Sequence, residues 1–173
     1  MTTPARSWGD TDADRSASFA CDEHMPDADA AYFRAIDVDA APATTFRWLC
    51  QLRVAPYSYD WIDNFGRRSP RGLIDGLDDL EIGQPVMTIF RLVAFERDRD
   101  ITIATRRNRL FGDVAVTYMV KPVGADRSRI VVKLLVRYPR GLRGLVLRYG
   151  LPWGDLVMMR KQLRTLRALA EAA

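Results

Sequence analysis

Four β-type stretches follow one another at residues 85–96, 100–107, 112–121 and 128–138, and the segments joining them are only three to six residues long. A parallel crossover needs about a dozen residues or more, so these stretches can pair only as an antiparallel meander. The last of them alternates cleanly: Ile130, Val132, Leu134, Val136 and Tyr138 point one way, and Arg129, Val131, Lys133, Leu135 and Arg137 the other. That pattern gives one buried and one partly wetted face. A partner for the buried face stands at the C-terminus, where Leu156, Met159, Leu163, Leu166 and Ala170 recur at helical spacing with Arg160, Arg164 and Arg167 opposite and Lys161 beside them. Burying each large residue of that stripe is worth about 1.5–3 kcal/mol, so the helix must lie on the sheet. Asp155 sits where a capping carboxylate would start it.

Ahead of the meander, residues 32–38 read as a strand with Tyr32, Ile36 and Val38 on one face and Phe33, Ala35 and Asp37 on the other. Pro42 opens a helix over 42–52, and Ser58 and Gly66 bracket a shorter one over 59–65. Residues 67–84 read as a surface connection. Residues 1–31 hold seven acidic and two basic side chains, with Trp8, Phe19 and Met25 as their large apolar groups, which predicts a disordered acidic tail over 1–29 and one domain over 30–173. Met25, which follows the acidic stretch, is an alternative to Met1 as the start of translation, and removal of 1–24 is expected to leave stability unchanged. Subtracting the tail's −5 from the chain's +4 leaves +9 on residues 32–173.

The residue inventory excludes much chemistry. His24 is the only histidine, so a histidine base, a Ser-His-Asp triad, a multi-histidine zinc site and an axial haem ligand all lack their key group in the domain. Cys21 and Cys50 form neither a disulfide framework nor a metal set, and Cys50 reads as a small buried hydrophobe. No metal and no cofactor is expected. Gly141, Gly144 and Gly150 lack the Gly-Lys-Ser/Thr that a phosphate loop requires. No secretory leader is apparent, and no apolar run approaches the roughly 20 residues of a membrane span, so a soluble cytoplasmic chain is expected. The basic residues fall in no nucleic-acid motif and read as a solvated face.

The order of elements, with the passages Ala41-Pro42-Ala43 leading to Trp48-Leu49, Tyr57-Ser58-Tyr59-Asp60-Trp61, Leu80-Glu81-Ile82-Gly83 and Pro152-Trp153-Gly154-Asp155 with Met158-Met159, resembles the SRPBCC superfamily. That superfamily includes START-type lipid-transfer and polyketide cyclase-like proteins. The resemblance covers about residues 30–172. It implies an α+β helix-grip fold, in which an antiparallel meander wraps a long C-terminal helix and two short helices follow the first strand. It further implies an apolar cavity between sheet and helix, and it supplies no catalytic set.

Within that frame Trp48, Tyr57, Tyr59, Trp61 and Phe65 either pack the end of the sheet or line a cavity mouth. Met87, Met119, Met158 and Met159 serve as core filler or as an adaptable wall. With Tyr118, Leu134 and Leu163, the group Trp48, Tyr57, Tyr59, Trp61, Met87 and Met159 makes up the expected ligand-binding set. For acid–base work the polar groups are Asp60, Asp63, Arg91, Thr105, Asp113 and Tyr118, with Tyr118 and Arg91 the ones to test. Asp60 and Asp63 are explained by helix N-terminal positions, and Arg91 faces either solvent or the cavity. Two functions follow: binding or carriage of a hydrophobic or aromatic small molecule, or a polyketide cyclase/aromatase-like reaction in the same cavity. The segment from Arg137 to Trp153 sets Arg137, Arg140, Arg143 and Arg148 among Leu142, Leu145, Val146, Leu147, Tyr149, Leu151 and Trp153. A short helix is expected between Gly141 and Gly150, with Pro152 starting the next. The segment caps the sheet or forms a lid that touches anionic membrane weakly.

Overall fold

The computed structural model describes residues 3–63, 66–87, 89–105 and 112–173. Phe65 and the connection 108–111 lie outside them, as do the side chains of Asp60 and Asp63. The elements in chain order are β1 (Ser7–Trp8), α1 (Asp12–Arg15), α2 (Cys21–His24), β2 (Ala30–Val38), α3 (Pro42–Cys50), α4 (Asp60–Asp63), β3 (Pro85–Val86), β4 (Phe90–Glu96), β5 (Asp100–Thr105), β6 (Asp113–Pro122), β7 (Ser128–Arg137) and α5 (Leu142–Ala170). Among the described residues the strands form one sheet in the order β1-β2-β7-β6-β5-β4-β3. The meander is antiparallel throughout, and β2 returns antiparallel to β7, pairing Tyr32 with Leu134 and Ile36 with Ile130. With α5 laid against it, this is a helix-grip fold.

The inner face of the sheet holds the main core, where Ile130, Val132, Leu134 and Val136 of β7 meet Met159, Leu163, Leu166 and Ala170 of α5 and Phe46 and Leu49 of α3. Pro42 occupies the first turn of α3, and the chain tightens into a single 3-10 turn over Gln51–Arg53 before leaving the core. The expected strand over 85–96 is divided: Met87 adopts φ 51, a rare conformation for a residue with a Cβ, and the chain doubles back so that β3 pairs with β4.

Two expectations are corrected. The helix does not restart at Pro152 with Asp155 as its cap; α5 runs unbroken from Leu142 through Pro152 to Ala170. An interior proline costs about 3 kcal/mol, and burial of Pro152, with Leu147 and Leu151 of the preceding turns packed against the core, offsets it. The corner before α5 is tight, since a Cβ on Gly144 would stand 1.9 Å from the Pro139 carbonyl oxygen.

Nor is the N-terminal segment a disordered tail. Residues 5–29 lie on the outer face of the sheet, where Phe19, Cys21 and Met25 are buried against Ala35, Ala115, Met119, Val131 and Leu135. The Cys21 amide donates to Thr117 Oγ1 at 3.0 Å, and β1 adds in parallel to β2. A Cβ on Gly9 would stand 2.2 Å from the Ala35 carbonyl oxygen, so only glycine lets the segment pass this close. Its acids meet the outward cations: Asp14 pairs with Lys121 and Arg129, Asp22 with Lys133, and Asp27 with Arg137. Few apolar groups suffice because the sheet supplies the others, and the segment's charge is neutralised where it lands.

Candidate functional site

Between the sheet and the middle of α5 lies a cavity of about 520 Å³. Phe90 of β4, Val116 and Tyr118 of β6 and Leu134 of β7 form its sheet wall, and Asp155, Met158, Met159 and Gln162 its helix wall. Pro56, Ser58 and Ile62 close one side, Met87 and Ile89 another. Alternation along the strands turns the sheet residues inward, and helical spacing sets Asp155, Met159 and Gln162 on one face of α5.

Ser58, Tyr118, Asp155 and Gln162 interrupt this largely apolar lining. The Tyr118 hydroxyl donates to Gln162 Oε1 at 2.9 Å, and Gln162 Nε2 donates to the Pro56 carbonyl at 2.6 Å, tying α5 to the 56–58 segment. Asp155 Oδ2 accepts from Arg34 Nη2 at 2.8 Å. Arg34 is fully buried behind the cavity wall and also donates to the carbonyls of Ala5 and Phe33. Burial pushes the Asp155 carboxyl up to about 6, even though the Arg34 guanidinium pulls it down. Burial also raises the Tyr118 phenol far above its ordinary value, with the charge of Asp155 adding to the effect, so Tyr118 stays neutral and acts as a hydrogen-bonding group. The Cys50 thiol, pushed up to about 12 by burial, is inert.

Of the expected ligand-binding residues, Met87, Tyr118, Leu134 and Met159 line this cavity. Trp48 and Tyr57 do not: they are buried in the core, ring edge to ring face at 6.2 Å. Leu163 is buried beneath α5, Tyr59 is half-buried away from the lining, and Trp61 is 76% exposed. Arg91 is excluded too. It alternates with the inward Phe90 and Leu92, and its Nη1 donates to the Gly83 carbonyl at 2.6 Å on the far side of the strand. What the sequence reading passed over is the Arg34–Asp155 pair. The signal was present, because Arg34 shares strand parity with Tyr32 and Ile36, and Asp155 shares helix spacing with Met159 and Leu166.

No family profile matches this sequence, and no curated protein does. Solved structures match its chain trace. A hypothetical protein from Helicobacter pylori shares 16% identity over 90% of this chain and 96% of its own, with a TM-score of 0.56. A protein from Mesorhizobium loti shares 11% identity over 83% and 98%, with a TM-score of 0.53. By fold, this is a helix-grip chain. A START superfamily protein from Mycobacterium smegmatis is also among the matches, at 15% identity over 82% and 97% of the two chains and a TM-score of 0.49. At such identities the likeness concerns architecture, and function must be argued from the helix-grip cavity itself.

Proposed function

We propose that this chain binds an apolar or aromatic small molecule in the cavity between sheet and α5, and that Asp155, held by Arg34, orients it by accepting a hydrogen bond from a ligand hydroxyl or amine. The observation that supports this reading best is a carboxylate on the wall of a largely apolar cavity of about 520 Å³, a size suited to a small-molecule ligand. A buried charge costs free energy unless it is paired and hydrogen-bonded, and Arg34 supplies that pairing through Oδ2 of Asp155. Binding of a fluorescent apolar probe, with competition by hydroxylated aromatics, tests the reading; a chain that binds none of them fails it. Carriage in the cytoplasm is part of this proposal.

A second reading, a cyclase- or aromatase-like reaction, gains support from the carboxyl of Asp155, poised near 6 where a general base is useful. The proton-transfer role then passes to Asp155 from Tyr118 and Arg91. Turnover of a polyketide-like substrate that survives Asp155→Asn would remove it.

Ligand exchange at an anionic membrane also belongs to this proposal. Leu142, Leu145, Val146, Tyr149 and Trp153 are all more than half exposed along one stretch of α5, with Arg140 and Arg143 exposed beside them. About 1 kcal/mol per basic residue gives weak, salt-sensitive contact. Co-sedimentation with anionic vesicles at low salt, absent with neutral ones, is the expected result. Among the described residues no helix is long and apolar enough to cross a membrane.

A further inference from the structure

A larger cleft, about 910 Å³ and open to solvent, lies between Tyr57–Ser58 with Arg68–Arg71 on one side and the last turns of α5 on the other. Among the described residues its charged lining is entirely cationic: Arg68 and Arg71 come from one wall, Lys161 and Arg164 from the other. None of these four makes an ion pair among the described residues, although nearby arginines do: Arg167 pairs with Glu171, and Arg47 with Asp75 and Asp78. Lys161 and Arg164 stand six or more residues before the end of α5 at Ala170, beyond the last turn to which the partial negative charge of a helix C-terminus extends. Arg68 and Arg71 face them from a separate segment. Arg164 is held in place over the Trp8 ring, 5.8 Å from its centroid. The 56–58 segment, tied to α5 through Gln162 and Pro56, separates the cleft from the apolar cavity, and Ser58 borders both.

We propose that this cleft is a second binding site, for a phosphate-type dianion presented by a soluble ester or by a lipid headgroup. Cations converging from two walls repel one another until an anion lies between them, and guanidinium forks match the tetrahedral oxygens of phosphate. The site is distinct from the apolar cavity and does not depend on what that cavity binds.

The test uses the full chain and the double variant Arg71→Gln/Lys161→Gln. Both residues are exposed, so the variant keeps its fold, and its Tm verifies this. Inorganic phosphate and glycerol 3-phosphate are titrated while amide shifts are followed by NMR, and vesicles of phosphatidylcholine with or without phosphatidic acid are sedimented in parallel. Saturable shifts at residues 68–71 and 161–169, with affinity at least about tenfold weaker in the variant, support a soluble ester as the source. Sedimentation with phosphatidic acid that the variant loses and the equally charged Arg97→Gln/Arg127→Gln variant, altered at exposed positions outside both sites, retains, without response to the soluble anions, supports a lipid headgroup. No response to either, or responses equal in the variant and the parent, overturns the proposal.

Discussion

At the scale of single residues, the molecule turns on one buried ion pair. Arg34 is fully buried, and removal of one partner of such a pair costs about 3–5 kcal/mol because the other charge stays in the core. Arg34→Met is therefore expected to lose about that much in urea unfolding at pH 7, and less at pH 5, where the stranded Asp155 takes up a proton. Replacing both partners, as Arg34→Met with Asp155→Leu, should recover most of the loss; a double variant no better than the single one would mean that packing around Arg34, not charge, sets the cost. The pH dependence has a definite sign. The folded Asp155 carboxyl, at about 6, lies above the roughly 3.9 of an unfolded aspartate, so the folded state binds the proton more tightly. Stability from this group is present below about pH 4 and is lost as pH rises to 6, by about 3 kcal/mol. Asp14 acts in the opposite sense: burial alone would raise it, but bonds from Lys121, Arg129 and Thr11 hold it well below the ordinary value. Its contribution is present above pH 4 and is lost in stronger acid. Tm measured from pH 4 to 7 should fall for the parent and stay nearly flat for Asp155→Asn.

Among the elements, the N-terminal segment is the one whose role composition obscured. Its three large apolar side chains look too few for a core of their own, and they are. The cue lay in β7, whose outward face carries Val131 and Leu135 between Arg129, Lys133 and Arg137, a face that water alone does not satisfy. A segment of net −5 beside a body of net +9 was the complement. The meander and the apolar stripe of α5 were legible because each rests on periodicity within one element. Pairings between distant elements were not, and so the outer layer and the Arg34–Asp155 contact, 121 residues apart in sequence, emerged only with the fold. The aromatic cluster misled for a related reason: Trp48 and Tyr57 belong to the core and Trp61 to the surface, and no spacing rule separates those fates. Deleting residues 1–24 is now expected to lower stability by at least about 2 kcal/mol, from Phe19 alone, and to expose Met119, Val131 and Leu135. An unchanged urea midpoint would show that the docked segment contributes nothing.

For the molecule as a whole, the central question is why a chain with an extensive inner core leaves about 520 Å³ unfilled between its sheet and its last helix. Cavities cost stability, at about 24 cal/mol per Å³ where a core side chain has been cut away, so a fold under no other demand gains by closing one. Residues able to close this one are already on its wall. Leu134 of β7 and Met159 of α5 both line it, and a phenyl ring in place of the Leu134 side chain is expected to extend into the cavity. Overpacking a tight core costs about 1–3 kcal/mol, whereas filling an existing hollow does not. Leu134→Phe is therefore expected to unfold at the same Tm as the parent or a few degrees higher, while losing at least about tenfold in affinity for an apolar fluorescent probe. The two readouts must separate: a variant that loses binding and stability together would show a damaged fold, and one that keeps both would show that the probe sits elsewhere, with the cavity between sheet and α5 left as a packing defect.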